Sequence, residues 1–137
     1  MLADGGNFTV TNQHVPNFPI WARESGYRMV TGDFNGDGRS DIAMTGATSA
    51  TTIPVAFSTG NGNFTVTNQH VPNFPIWARE SGYRMVAGDF NGDGRSDIAM
   101  TGATLATTIP VAFSTGNGNF TVTNQHVPNF PIWAREP

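Results

Sequence analysis

The chain repeats itself. Phe8, Phe64 and Phe120 stand 56 residues apart, as do Trp21, Trp77 and Trp133, and Asp33 returns at the same interval as Asp89. Comparing residues 6–80 with 62–136 yields two differences, Thr31 against Ala87 and Ser49 against Leu105. Identity this close marks a very recent duplication or deliberate copying. Whatever one unit folds into, the next must fold into as well. A unit recurring at a few tens of residues cannot bury its apolar face alone, so it has to stack on its neighbours.

Within a unit the apolar residues follow period two over short reaches: 27–31 (Tyr-Arg-Met-Val-Thr), 41–45 (Asp-Ile-Ala-Met-Thr), 52–57 (Thr-Ile-Pro-Val-Ala-Phe) and 64–67 (Phe-Thr-Val-Thr). These read as four short strands. The separators, Asn-Gly-Asp-Gly and Thr-Gly-Asn-Gly-Asn, are turn sequences whose glycines accept positive φ. No window shows helical periodicity. The expected class is all-β, a β-propeller of four-stranded antiparallel blades, with a β-solenoid or a sandwich as the structural alternatives.

Three segments follow. Residues 1–26 hold a lone outer strand (7–14) and a connection; 27–82 and 83–137 are each a blade with its connection. Each chain thus has two complete blades plus an extra outer strand. Two blades cannot close a ring, and an isolated pair would expose large apolar faces. The expectation is a homo-oligomer, such as a trimer with six blades, in which several chains close one ring.

Six of the ten acidic residues fall in two loops, 33–41 and 89–97. The first reads Asp-Phe-Asn-Gly-Asp-Gly-Arg-Ser-Asp. It places side-chain oxygens at Asp33, Asn35, Asp37 and Asp41, with a glycine turn at Gly38; the second places them at Asp89, Asn91, Asp93 and Asp97. Ca²⁺ takes six to eight hard oxygens, and the backbone carbonyls of Arg39 and Arg95 would add one to each set. The loop is not an EF-hand, because position 12 is Met44 or Met100 rather than Glu and strands flank it. An Asp/Asn/Gly turn holding no ion is the other reading. Unneutralised, three nearby carboxylates repel one another, which favours structural calcium.

Between the fourth strand and the next unit runs Asn-Gln-His-Val-Pro-Asn-Phe-Pro-Ile-Trp-Ala-Arg-Glu-Ser-Gly-Tyr-Arg. It carries His14, Trp21, Arg23 and Tyr27, then His70, Trp77, Arg79 and Tyr83, then His126, Trp133 and Arg135. An aromatic face for sugar C–H groups beside hydroxyl-binding polar groups suits a carbohydrate. Equally, the tryptophans can be packing that plugs the gap between blades, and the histidines can bond backbone. One His per repeat, with no Cys, is a poor metal set.

Other classes lose support. All seven basic residues are Arg, scattered singly, and net charge is −3, so no stripe exists for nucleic acid. No stretch reaches membrane-spanning length, and Met-Leu-Ala-Asp-Gly-Gly does not read as a signal peptide. No nucleophile motif such as Gly-x-Ser-x-Gly occurs, so no enzyme is expected. Asn7, Asn63 and Asn119 open formal glycosylation acceptors.

The stretch Gly-Asp-Phe-Asn-Gly-Asp-Gly-Arg-Ser-Asp-Ile-Ala-Met-Thr-Gly resembles the FG-GAP type of propeller repeat, which implies the fold and calcium. Its continuation, Thr-Ile-Pro-Val-Ala-Phe-Ser, then Gly-Asn-Phe-Thr-Val-Thr-Asn and Phe-Pro-Ile-Trp-Ala, resembles the Psathyrella velutina lectin family and its bacterial relatives from Photorhabdus. That resemblance implies seven-bladed secreted propellers binding terminal N-acetylglucosamine, fucose or methylated sugars between adjacent blades. Family members often carry Gly-Trp before Thr-Ile-Pro-Val, where this chain has Ser49-Ala50-Thr51 and Leu105-Ala106-Thr107. A non-lectin FG-GAP scaffold or protein-interaction module is the competing implication.

Overall fold

A computed structural model of the protein describes residues 6–136. It contains two four-stranded antiparallel sheets, each strand pairing with the next in sequence. The first is β1 (Arg28–Gly32), β2 (Asp41–Thr45), β3 (Thr52–Ser58) and β4 (Phe64–His70). The second is β5 (Arg84–Gly88), β6 (Asp97–Thr101), β7 (Thr108–Ser114) and β8 (Phe120–His126). These are the blade-like units the alternation required.

Register follows the turns. The acidic loop joins β1 to β2 so that Gly32 faces Asp41, and the Thr-Gly-Asn-Gly-Asn turn joins β3 to β4 so that Ser58 faces Phe64. Pro54 interrupts little: β2 and β3 pair Ile42 with Ala56 and Ala43 with Val55, and Pro54 lies one residue beyond that short ladder.

The sheets stack face to face. One continuous core runs through Phe34, Ile53, Val55, Val71 and Phe74 of the first unit and Tyr83, Ile98, Met100, Ala112 and Phe120 of the second. Hydrogen bonds lock this junction: Ser96 N–H donates to the Asp33 carbonyl (2.8 Å), Asp33 N–H to Ser96 Oγ (2.9 Å), and Ser114 Oγ to the Phe34 carbonyl (2.6 Å). Arg28 also donates to the Tyr83 carbonyl.

Two expectations need correction. Residues 8–14 form no strand; only an isolated bridge at Asn7 is present, because among the described residues no third strand pairs with them. Of the 1–26 segment, residues 1–5 lie outside the described residues, as does Pro137. Second, each connection contains one helical turn: α1 (Phe18–Trp21), α2 (Phe74–Trp77) and α3 (Phe130–Trp133). Four residues are too few to show helical periodicity. Proline at the first turn and Asn17, Asn73 or Asn129 at positive φ before it set the chain's direction instead.

Candidate functional site

The acidic loops fold around their own amides. Asp33 accepts from the N–H groups of Gly36 (2.8 Å), Asp37 (3.1 Å) and Gly38 (2.7 Å), a turn made possible by glycines at positive φ. Asp37 accepts from Arg39 N–H (2.9 Å) and pairs with its guanidinium (2.9 Å). Asp41 is fully buried and clasps Phe34 N–H and Ser58 N–H, both at 2.9 Å, tying the loop's start to the end of β3. The second loop repeats this pattern through Asp89, Asp93 and Asp97.

These environments pull the carboxyl groups apart. Burial raises Asp41 and Asp97 above the ordinary aspartate range, against the opposing pull of their backbone donors. Asp89 is lowered, chiefly by the Gly94 N–H.

Among the described residues, no group of three or more His, Cys, Asp or Glu side chains converges as a metal cluster. One atom nonetheless fits a cation: Asn35 Oδ1 is buried without a hydrogen-bond partner. Asp33 Oδ1 accepts two N–H groups, but Asp33 Oδ2 and both Asp37 oxygens have one donor each and keep a lone pair for a cation. The arginine paired with each loop carboxylate reaches across to its unit's third strand, Arg39 donating to the Ser58 carbonyl (3.1 Å) and Arg95 to that of Ser114 (3.2 Å).

The connections build two equivalent clefts. Pro16, Asn17 and Trp21 face 64–68 of β4 across about 380 Å³. Pro72, Asn73 and Trp77 face 120–124 of β8 across about 380 Å³. In each, a tryptophan and proline form one wall, while a phenylalanine, a valine, two threonines and an asparagine of the outer strand form the other.

The remaining residues singled out in the connections lie elsewhere. Arg79 is a brace, donating to the carbonyls of Ala47 (3.1 Å) and Ala50 (3.0 Å), and Arg135 donates to Ala106 (3.1 Å). Arg23 is exposed and has no corresponding bond among the described residues. Tyr83 is buried with its hydroxyl bonded to Thr108, and Tyr27 is bonded to Thr52. His70 Nδ1 sits 3.2 Å from Thr51 Oγ1, while His14 and His126 are exposed. Trp133 is largely exposed, with no outer strand against it among the described residues. The cleft residues that pattern reading missed are the outer-strand threonines and asparagines. Thr65, exposed between the half-buried Phe64 and Val66, carries the period-two alternation that was the available sign, whereas the Thr67 hydroxyl is buried.

Residues 33–100 match the FG-GAP-like repeat family and residues 81–122 match the FG-GAP repeat family. No curated protein matches the chain.

Proposed function

We propose that this chain of FG-GAP repeats is a non-enzymatic, calcium-braced lectin module acting outside the cell. It takes terminal sugars such as N-acetylglucosamine or fucose in the clefts between each tryptophan-bearing connection and the following outer strand. The observation that carries this reading is the pair of equivalent clefts at Trp21 and Trp77. A tryptophan face suits the C–H side of a pyranose, and Asn17, Thr65 and Asn68, or their repeats, suit its hydroxyls. Copying the site gives avidity from weak individual binding.

Calcium is the supporting element. Asp33, Asn35, Asp37, the Arg39 carbonyl and Asp41 would hold one ion; Asp89, Asn91, Asp93, the Arg95 carbonyl and Asp97 would hold another. The ion would neutralise the loop carboxylates and brace the β1–β2 and β5–β6 turns. FG-GAP repeats are often calcium-binding, and the unpartnered Asn35 oxygen supports the assignment.

One observation favours a second reading. Arg79 and Tyr83 are committed to internal hydrogen bonds, which leaves the clefts with few strong polar groups and suits a protein-interaction scaffold. Tryptophan fluorescence separates the two. Titration with N-acetylglucosamine or fucose in calcium should shift the emission of the wild-type chain, and Trp21→Ala with Trp77→Ala should abolish saturable binding. No saturable shift with either sugar favours the scaffold.

A further inference from the structure

Strands β1 and β5 differ at one position, Thr31 against Ala87, yet they bury opposite faces. In β1, Val30 is packed in the junction and Met29 is 55% exposed. In β5, Met85 is packed in the junction and Val86 is 57% exposed. The cause is position. The first unit turns its trailing face to the second, which meets it with its leading face, so one face of each kind is left over.

The leftover trailing face is an apolar hollow of about 390 Å³ that includes Val86, Phe90, Ile109 and Phe130. Its counterparts in the first unit, Val30, Phe34, Ile53 and Phe74, all pack into the junction core. The polar groups are left over too. Asp89 N–H, the Asp89 and Phe90 carbonyls and the Arg84 guanidinium repeat the groups that, one unit earlier, bond Ser96, Ser114 and the Tyr83 carbonyl. On the leftover leading face, Ser40, Ser58 and the Tyr27 carbonyl repeat those partners in the same order.

We infer that the trailing face of the second unit docks on the leading face of the first unit in a second copy of this chain. The occupant is fixed by the junction already inside the molecule, which displays the fit of these same two surfaces; the proposal is independent of the lectin reading. Thr31 of the incoming copy stands where Ala87 stands internally. Such a head-to-tail contact propagates, closing a ring or extending a filament.

The leading face is not bare. Phe18 is buried there with Met44 and Ala56, beside Val15, Trp21, Phe64 and Val66. Thr11 lies against Gly62 as Thr67 lies against Gly118. Residues 6–24 therefore cap the first unit much as 62–80 cap the second. Their sequence is identical to 118–136. At the docked junction two copies of one segment compete for one slot. The copy ending in Trp133 is anchored by the seven-rung ladder of β8 on β7, from Ser114–Phe120 to Thr108–His126, whereas residues 8–14 have no ladder. Docking displaces 6–24 of the incoming copy, and Trp133 takes the place of Trp21.

Sedimentation velocity of the full chain over a concentration series tests this, with circular dichroism confirming that each variant is folded. Val86→Asp places a carboxylate on a side chain that is exposed in the single chain but enclosed after docking, and should weaken association about a hundredfold. Phe18→Ser loosens the cap and should strengthen association about tenfold. Trypsin should cut after Arg23 faster in the associated form. Association of wild type or Phe18→Ser that is lost in Val86→Asp supports the proposal. Wild type and Phe18→Ser both remaining monomeric at every concentration, or Val86→Asp associating as wild type does, overturns it.

Discussion

Phe34 and Phe120 meet edge to face across the junction of the two sheets, their ring centroids 6.1 Å apart and their planes at 73°. One repeat later, Phe90 occupies the same place in its own unit and is 50% exposed. Residues 32–48 and 88–104 are identical, so a large difference in their energetics comes from the neighbouring unit.

Phe34→Ala should therefore cost about 3–5 kcal/mol, the range for deleting a fully buried aromatic side chain. Phe90→Ala should cost about 1–2 kcal/mol, since only part of its surface leaves water. Urea unfolding of the two variants, under conditions where the chain is monomeric, measures the gap. Equal costs would mean that the two units do not stack as described.

Asn35 offers a test in which the sign of the effect reverses. Its Oδ1 is buried without a partner, and leaving such an atom unpaired costs roughly 1–3 kcal/mol. In EDTA, Asn35→Ala should be as stable as wild type or more so. In excess calcium it should be less stable, because wild type gains the binding free energy of the ion at this loop. Thermal melts in both buffers show whether the order of the two proteins inverts; an unchanged order argues against calcium at this loop.

Much of this was legible in the residues, for identifiable reasons. Asp41–Thr45 and Thr52–Ser58 are marked as strands by short apolar runs between turn signals, and both are buried on their two faces. The Asp-Phe-Asn-Gly-Asp-Gly loop marks a tight hairpin turn through its glycines. What stayed hidden depends on neighbours. Residues 8–14 and Phe64–His70 both contain Phe-Thr-Val-Thr-Asn-Gln-His, but only the second has a third strand to pair with. Likewise, nothing local distinguishes Arg79, braced on Ala47 and Ala50, from Arg23, which is exposed.

The tyrosines set the alkaline limit. Burial is the main cause holding Tyr27 and Tyr83 neutral above the ordinary value of 10.0; Glu80 adds to it at Tyr83, and the hydrogen bond to Thr108 opposes it. The unfolded chain releases these protons first, so above that pH it binds fewer protons than the fold does. Their contribution to stability is intact below about pH 10 and is lost as pH climbs through the raised folded values. Urea unfolding at a series of pH values from about 8 to 11 should show this fall. Tyr83→Phe should flatten part of it, and a variant with the full wild-type slope would assign the loss to other groups.

The most direct measurement is a glycan array probed with the full chain in calcium and again in EDTA. Binding to a defined set of terminal sugars, weaker in EDTA and absent when Trp21 and Trp77 are both replaced by Ala, is the expected result. An array with no sugar bound in either buffer, obtained with protein shown to be folded, would contradict a lectin built on these clefts.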